Sequence, residues 1–141
     1  MILRAFIGYT YKKAGAYSMC VYQDNQYVQM KPKLIKSKDP KYIILFALIE
    51  LLEEIVSIKD SSKIEITYYC NNDEIAFEWH EEYLNTKEFS KQTAHLPLWK
   101  KIISLTENNG ISLTVKGKTI LEKYNKRQNL KAMRYGTSTT T

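Results

Sequence analysis

Along residues 2–8 the side chains of Leu3, Ala5 and Ile7 lie opposite those of Ile2, Arg4 and Phe6, which is the period-two alternation of a strand. β-Branched and aromatic residues, many of them tyrosine, carry the pattern on over 16–23 and 26–30. Turn chemistry at 12–15 and at Asp24 and Asn25 separates the three runs, so the chain is expected to open as an antiparallel three-strand meander. A polar, lysine-rich connection follows. Asp39 and Pro40 then supply an N-cap and a first-turn proline for a helix reaching about residue 58. Its Leu45, Leu48, Leu52, Ile55 and Val56 recur every three or four positions, with Glu50, Glu53 and Glu54 on the opposite side.

Alternation returns over 64–70 as a fourth strand, and Asn71, Asn72 and Asp73 break it before a helical run at 74–83. Pro97, Leu98 and Trp99 begin another helix that ends near Glu107 at Asn108, Asn109 and Gly110. A fifth strand covers 111–115, and the polar, basic stretch 123–135 has a short helical tendency. Residues 136–141 are small and polar and are expected to fray. No internal repeat is present. The order β-β-β-α-β-α-α-β-α predicts one α/β domain over 1–135: a mixed five-stranded sheet, order 3-2-1-4-5, with helices on its faces.

Composition agrees with a packed domain. Of 141 residues 44% are apolar and only eight are Gly or Pro, which excludes disorder, collagen-like repeats and coiled coil. The apolar run 43–49 is far short of the roughly 20 residues that span a membrane. Arg4 interrupts the first apolar run, so neither an anchor nor a signal peptide is expected. Cys20 and Cys70, without CxxC spacing, fit a reducing compartment and argue against a disulfide framework or zinc site; the cytoplasm is the expected location. The net charge of +6 is uneven: 1–41 holds eight basic and two acidic residues, 42–115 six and twelve, 116–141 seven and one. Two basic ends on one fold are a cue for a polyanion surface.

Several segments resemble the ribonuclease H family. Residues 5–13, Ala-Phe-Ile-Gly-Tyr-Thr-Tyr-Lys-Lys, look like its first strand and turn, usually F-V-D-G-S-Y-N-K, and the helix at 43–52 looks like its E-I-x-A-A-x-x-A-L helix. Ile66 to Cys70 resembles the fourth strand, which normally ends in Asp. Leu98-Trp99-Lys100-Lys101-Ile102 and 111–118 resemble the L-W helix and the strand ending V-K-G-H, and 123–129 is similar to the Y-N-E-x-A-D segment of the last helix. The likeness covers nearly the whole chain in order. It implies that family's fold, and nuclease chemistry run by two Mg²⁺ ions on four carboxylates.

At the positions the resemblance aligns with those acids, this chain has Gly8, Ile43, Cys70 and Asn129, and the catalytic histidine corresponds to Lys118. Hard divalent cations require oxygen ligands, mostly charged, which this set lacks. The resemblance therefore implies a domain without catalysis, metal or other cofactor. Asp73, Glu74 and Glu78 could relocate a metal site, but acids at a helix start are favourable in any case. His80 and His95 do not form a metal motif, Trp79 and Trp99 suit packing, and the two cysteines suit buried strand positions.

With carboxylates gone and lysines added, the mouth of such a fold becomes positive. The expected nucleic-acid contacts are Lys12, Lys13, Lys116, Lys118, Lys126, Arg127 and Lys131, with Arg134 nearby and Tyr9, Tyr11 or Tyr17 available to stack on RNA, DNA or hybrid. Two alternatives stand beside this reading. One is a protein-interaction or inhibitor module acting on a nucleic-acid enzyme through Glu50, Glu53, Glu54, Glu78, Glu81 and Glu82. The other is a metal-dependent hybrid nuclease with an unusual site.

Overall fold

The computed structural model describes residues 1–12, 14–24, 26–58 and 63–138. Strand β1 (Ile2–Thr10) pairs antiparallel with β2 (Gly15–Gln23), and β2 pairs antiparallel with β3 (Gln26–Gln29). Strands β5 (Ile64–Tyr69) and β6 (Ile111–Lys116) add parallel to β1, giving the order β3-β2-β1-β5-β6. This is the expected order, with β5 and β6 as its fourth and fifth strands. The addition is β4 (Lys33–Ile35), which pairs with the start of β2 on the edge that β3 uses further along. Three residues led by a lysine, inside a polar connection, carry no alternation to announce a strand.

Helix α1 (Pro40–Ile58) starts where the capping signal puts it: Lys41 N–H donates to Asp39 Oδ1 at 3.1 Å. It is buried over more than a stripe, with Ile43, Ile44, Leu45, Ala47, Leu48, Ile49, Leu51 and Leu52 all inside, because it lies against the sheet and α3 (Leu96–Glu107) together. Burial of each such Leu or Ile is worth about 1.5–3 kcal/mol. Helix α2 (Asp73–Phe77) is capped by Asn72, whose Oδ1 accepts from Ile75 N–H, and runs into a π-helical segment, Glu78–Leu84. That segment closes the open edge of β6. Trp79 Nε1 donates to Leu113 O at 2.9 Å, and Val115 N–H donates to His80 Nε2 at 2.9 Å, so groups that would invite another strand are taken.

Among the described residues the opposite face carries one helix, α4 (Glu122–Ser138), packed on β1 and β2. Its inward positions are Asn125, Gln128, Ala132 and Gly136, a spacing of three or four with little apolar content. The fraying expected from residue 136 does not begin there. α4 continues through Gly136, buried near Thr10, Ala14 and Ala16, because docking onto the β1–β2 corner supplies contacts that local composition does not reveal; 139–141 lie outside the described residues. Among the described residues no helix is long and apolar enough to cross a membrane.

A buried ion pair ties α1 to the π-helical segment and α3. Lys41 Nζ lies 2.7 Å from Glu78 Oε2, and Trp99 Nε1 donates to Glu78 Oε1 at 2.9 Å. Glu78 is therefore not part of an acidic surface, contrary to the sequence expectation: burial beside the lysine takes it inside. Removing one buried charge strands the other. Glu78→Leu is expected to lower the unfolding free energy by about 3 kcal/mol, and adding Lys41→Met to recover most of it, as measured by urea denaturation.

Candidate nucleic-acid interface

The parallel strands β1, β5 and β6 bring Thr10, Tyr69 and Lys116 to one end of the sheet. The N-terminal turn of α1 arrives at the same end, where Tyr68 Oη donates to Ile44 O at 2.8 Å. Pairing of β1 with β5 stops at Phe6 and Tyr69, and the strands fork beyond it. Asn125 fills the fork: its Nδ2 donates to Ile7 O and to Tyr69 O, both at 2.8 Å. One turn later Asn129 Oδ1 accepts from Tyr9 N–H at 2.9 Å. Between these two contacts lies Gly8, where a Cβ would stand 2.0 Å from the Asn129 backbone nitrogen.

Cys70 closes the far side of the fork. Its thiol, pushed up to about 12 by burial, donates to Lys116 O at 3.4 Å and lies 3.7 Å from Asn72 O. Burial, with Tyr11 and then Cys70 nearby, raises the Tyr9 phenol as well. Ile43 belongs to the same buried cluster as Cys70. Glycine, isoleucine, a protonated thiol and an amide already bonded to backbone make no cradle for two divalent cations. Asn71 Oδ1, the one buried side-chain oxygen without a hydrogen bond among the described residues, is a single neutral donor.

The acids weighed as substitutes have other partners. Asp73 Oδ1 accepts from Lys118 N–H at 2.9 Å, and Glu74, largely exposed, reaches toward Lys41 at 3.7 Å. With Glu78 held by Lys41 and Trp99, no group of three or more His, Cys, Asp or Glu among the described residues could hold a metal ion. His95 pairs with Asp39 at 2.5 Å, a bond that is the main cause of the lowered Asp39 pKa. Trp79 and Trp99 are buried and stack on each other, and both cysteines are buried and unpaired, as their strand and helix positions suggested.

The basic residues divide into two groups. Lys12, Lys116 and Lys118 are exposed at or just beyond the ends of β1 and β6, and exposed Lys126, on α4, lies 3.3 Å from Glu122. Lys13 lies outside the described residues. Arg127 and Lys131 do not join this group: with Arg134 they line a groove along β2 and β3. The reason is helical geometry, since neighbours on a helix diverge by about 100° and Arg127 leaves the flank of Lys126. Of the expected stacking tyrosines, Tyr17 is 3% exposed and fills the core, Tyr9 is half-buried, and Tyr11 is exposed with its ring 6.3 Å from that of Tyr9.

Two features escaped the sequence reading. Asn125 lies one turn before Asn129, in the matched Tyr-Asn pair, but only the docked helix shows that its amide bridges the two strands. Tyr22, Tyr27 and Tyr124 come from three elements: the β2–β3 pairing sets Tyr22 opposite Tyr27, and only docking of α4 adds Tyr124. Restoring an acid at the fork has a steric obstacle. Gly8→Asp is expected to cost about 3 kcal/mol of stability and to leave Mn²⁺ affinity unmeasurable by titration calorimetry.

No family model matches the sequence, and no curated protein is similar to it in sequence. Solved structures do share its fold. LC11-RNase H1 in complex with an RNA/DNA hybrid superposes with a TM-score of 0.68 at 11% identity over 99% of each chain. The N-terminal RNase H domain of rv2228c from Mycobacterium tuberculosis, solved as a maltose-binding-protein fusion, gives 0.65 at 11% over 94% of this chain and 99% of that one. The foamy viral protease-reverse transcriptase in complex with RNA/DNA hybrid gives 0.66 at 12% over 97% of this chain, which spans only 20% of that longer protein. The fold is ribonuclease H-like, as the resemblance implied.

Proposed function

We propose that this ribonuclease H-like domain binds nucleic acid through the positive rim at its strand ends and does not cleave it. The observation that carries the reading is the filled fork: the Asn125 amide joins the two strands, and the α4 backbone takes the space beside Gly8 where an acidic side chain would stand. A neutral fork removes the need for cations, and the exposed Lys12, Lys116 and Lys118 at the strand ends carry positive charge that can meet phosphates directly, with Lys126 beside Glu122 on α4. Two structural neighbours, LC11-RNase H1 and the foamy viral protein, were solved holding RNA/DNA hybrids. That supports a nucleic-acid partner for this chain too.

The competing docking module would need a free acidic face. Several of its acids are engaged instead: Glu50 with Lys33 at 3.6 Å, Glu53 with Lys101 at 3.3 Å and Glu78 with Lys41 at 2.7 Å. The nucleic-acid reading is therefore favoured.

The test is a labelled RNA/DNA hybrid incubated with the protein in Mg²⁺ or Mn²⁺, followed by a salt titration of binding. The expected outcome is an intact hybrid, affinity that falls steeply with salt, and a log–log salt slope reduced by about 2 in the Lys116→Gln, Lys118→Gln variant. Metal-dependent cleavage, or no binding at low salt, would overturn the proposal.

A further inference from the structure

On the sheet face that carries α4, a groove of about 470 Å³ runs between that helix and strands β2 and β3. Tyr124, Arg127, Lys131 and Arg134 line it from the helix, spaced i, i+3, i+7 and i+10 so that they form one stripe; Tyr22 and Tyr27 line it from the strands. The three rings form a continuous surface. Tyr22 lies 5.3 Å from Tyr27 and 6.0 Å from Tyr124, with Phe6 packed edge-on beneath Tyr22 at 5.8 Å. Tyr27 is 48% exposed, so part of its ring is open to solvent along the groove.

Cations stand beside these rings. The Arg127 guanidinium lies 5.5 Å from the centre of Tyr124, and Arg4 lies 5.7 Å from the centre of Tyr22. Lys131 Nζ and Tyr27 Oη both donate to Gln29 Oε1, at 2.7 and 2.9 Å, which holds one cation and one ring in place through a single amide. Among the described residues no carboxylate lines the groove, and neither Arg127 nor Arg134 has a salt bridge. Many acids elsewhere on the chain are paired. A concave surface of aromatic rings and uncompensated cations complements a ligand that alternates flat π-systems with negative charge.

We infer that this groove takes a single-stranded segment of nucleic acid, with bases stacked on Tyr22, Tyr27 and Tyr124 and phosphates on Arg127, Lys131 and Arg134. A base inside a duplex has its faces covered by its neighbours, so the rings can engage it only when it is unpaired and unstacked. The inference rests on the nucleic-acid reading above and adds to it a strand class and a second contact surface, around α4 from the strand-end lysines.

The test is fluorescence anisotropy of labelled oligo(dT) and oligo(rU), with the matching hybrid as comparison. Tyr27→Ala is expected to weaken single-strand binding about tenfold, with Tyr27→Phe close to wild type. Arg127→Gln together with Arg134→Gln should lower the single-strand salt slope by about 1.4. Photocross-linking of a 5-bromouracil oligonucleotide should label Tyr22, Tyr27 or Tyr124. Single-strand binding unchanged in these variants but lost in Lys116→Gln, Lys118→Gln would overturn the groove and leave the strand-end interface standing. Polyglutamate competing as well as oligo(dT) would also overturn it, in favour of an acidic peptide. A wild-type protein that binds neither hybrid nor single strand at low salt would overturn both readings.

Discussion

The backbone of α4 approaches β1 at a distance that only glycine permits. With Gly8 in the strand, the helix settles until a Cβ at that position would overlap the Asn129 nitrogen and the Gln128 carbonyl carbon. The approach then brings two side-chain amides into reach of backbone groups that the fork leaves unpaired: Asn125 meets Ile7 O and Tyr69 O, and Asn129 meets Tyr9 N–H. Buried backbone groups without partners are costly, so these bonds hold the splayed strands in place. The further network of Ser18, Gln29 and Gln128 continues the same contact toward β3, with Ser18 Oγ donating to Gln128 Oε1 at 2.7 Å. The seat of α4 is thus polar, whereas that of α1 on the other face is apolar.

Both candidate surfaces follow from that seat. At the fork the helix sets side-chain amides between the strand ends, near which Lys12, Lys116 and Lys118 are exposed. Along its other flank the helix stands beside β2 and β3 and forms the aromatic and cationic groove. One docking contact therefore separates basic residues that are adjacent in sequence. Arg127 and Lys126 are neighbours in the chain and contribute to different surfaces.

Much of the fold was legible along the chain because its signals are local. Alternation marked the strands, Asp39 and Pro40 marked the start of α1, and Asn108, Asn109 and Gly110 marked the end of α3. Less was legible of the site. β4 was hidden because three residues in a lysine-rich connection carry no period, and the last turns of α4 were hidden because Gly136 reads locally as a breaker. The choice between packing and stacking stayed open for Tyr17 for a related reason. A tyrosine in a strand has the same local appearance whether it faces solvent or the core, and here α1 and the sheet enclose it.

The amino-acid order alone determined five of the strands and the starts of the long helices, their sequence along the chain, and the apolar face that α1 buries. These depend on side chains a few residues apart, where period and capping chemistry act. The tertiary structure decided which amide fills the fork, which lysines share a surface, and which tyrosines form the groove. Such choices depend on how a polar helix rotates as it docks. α4 has no apolar stripe to reveal that rotation, because amide hydrogen bonds and a glycine contact fix it instead.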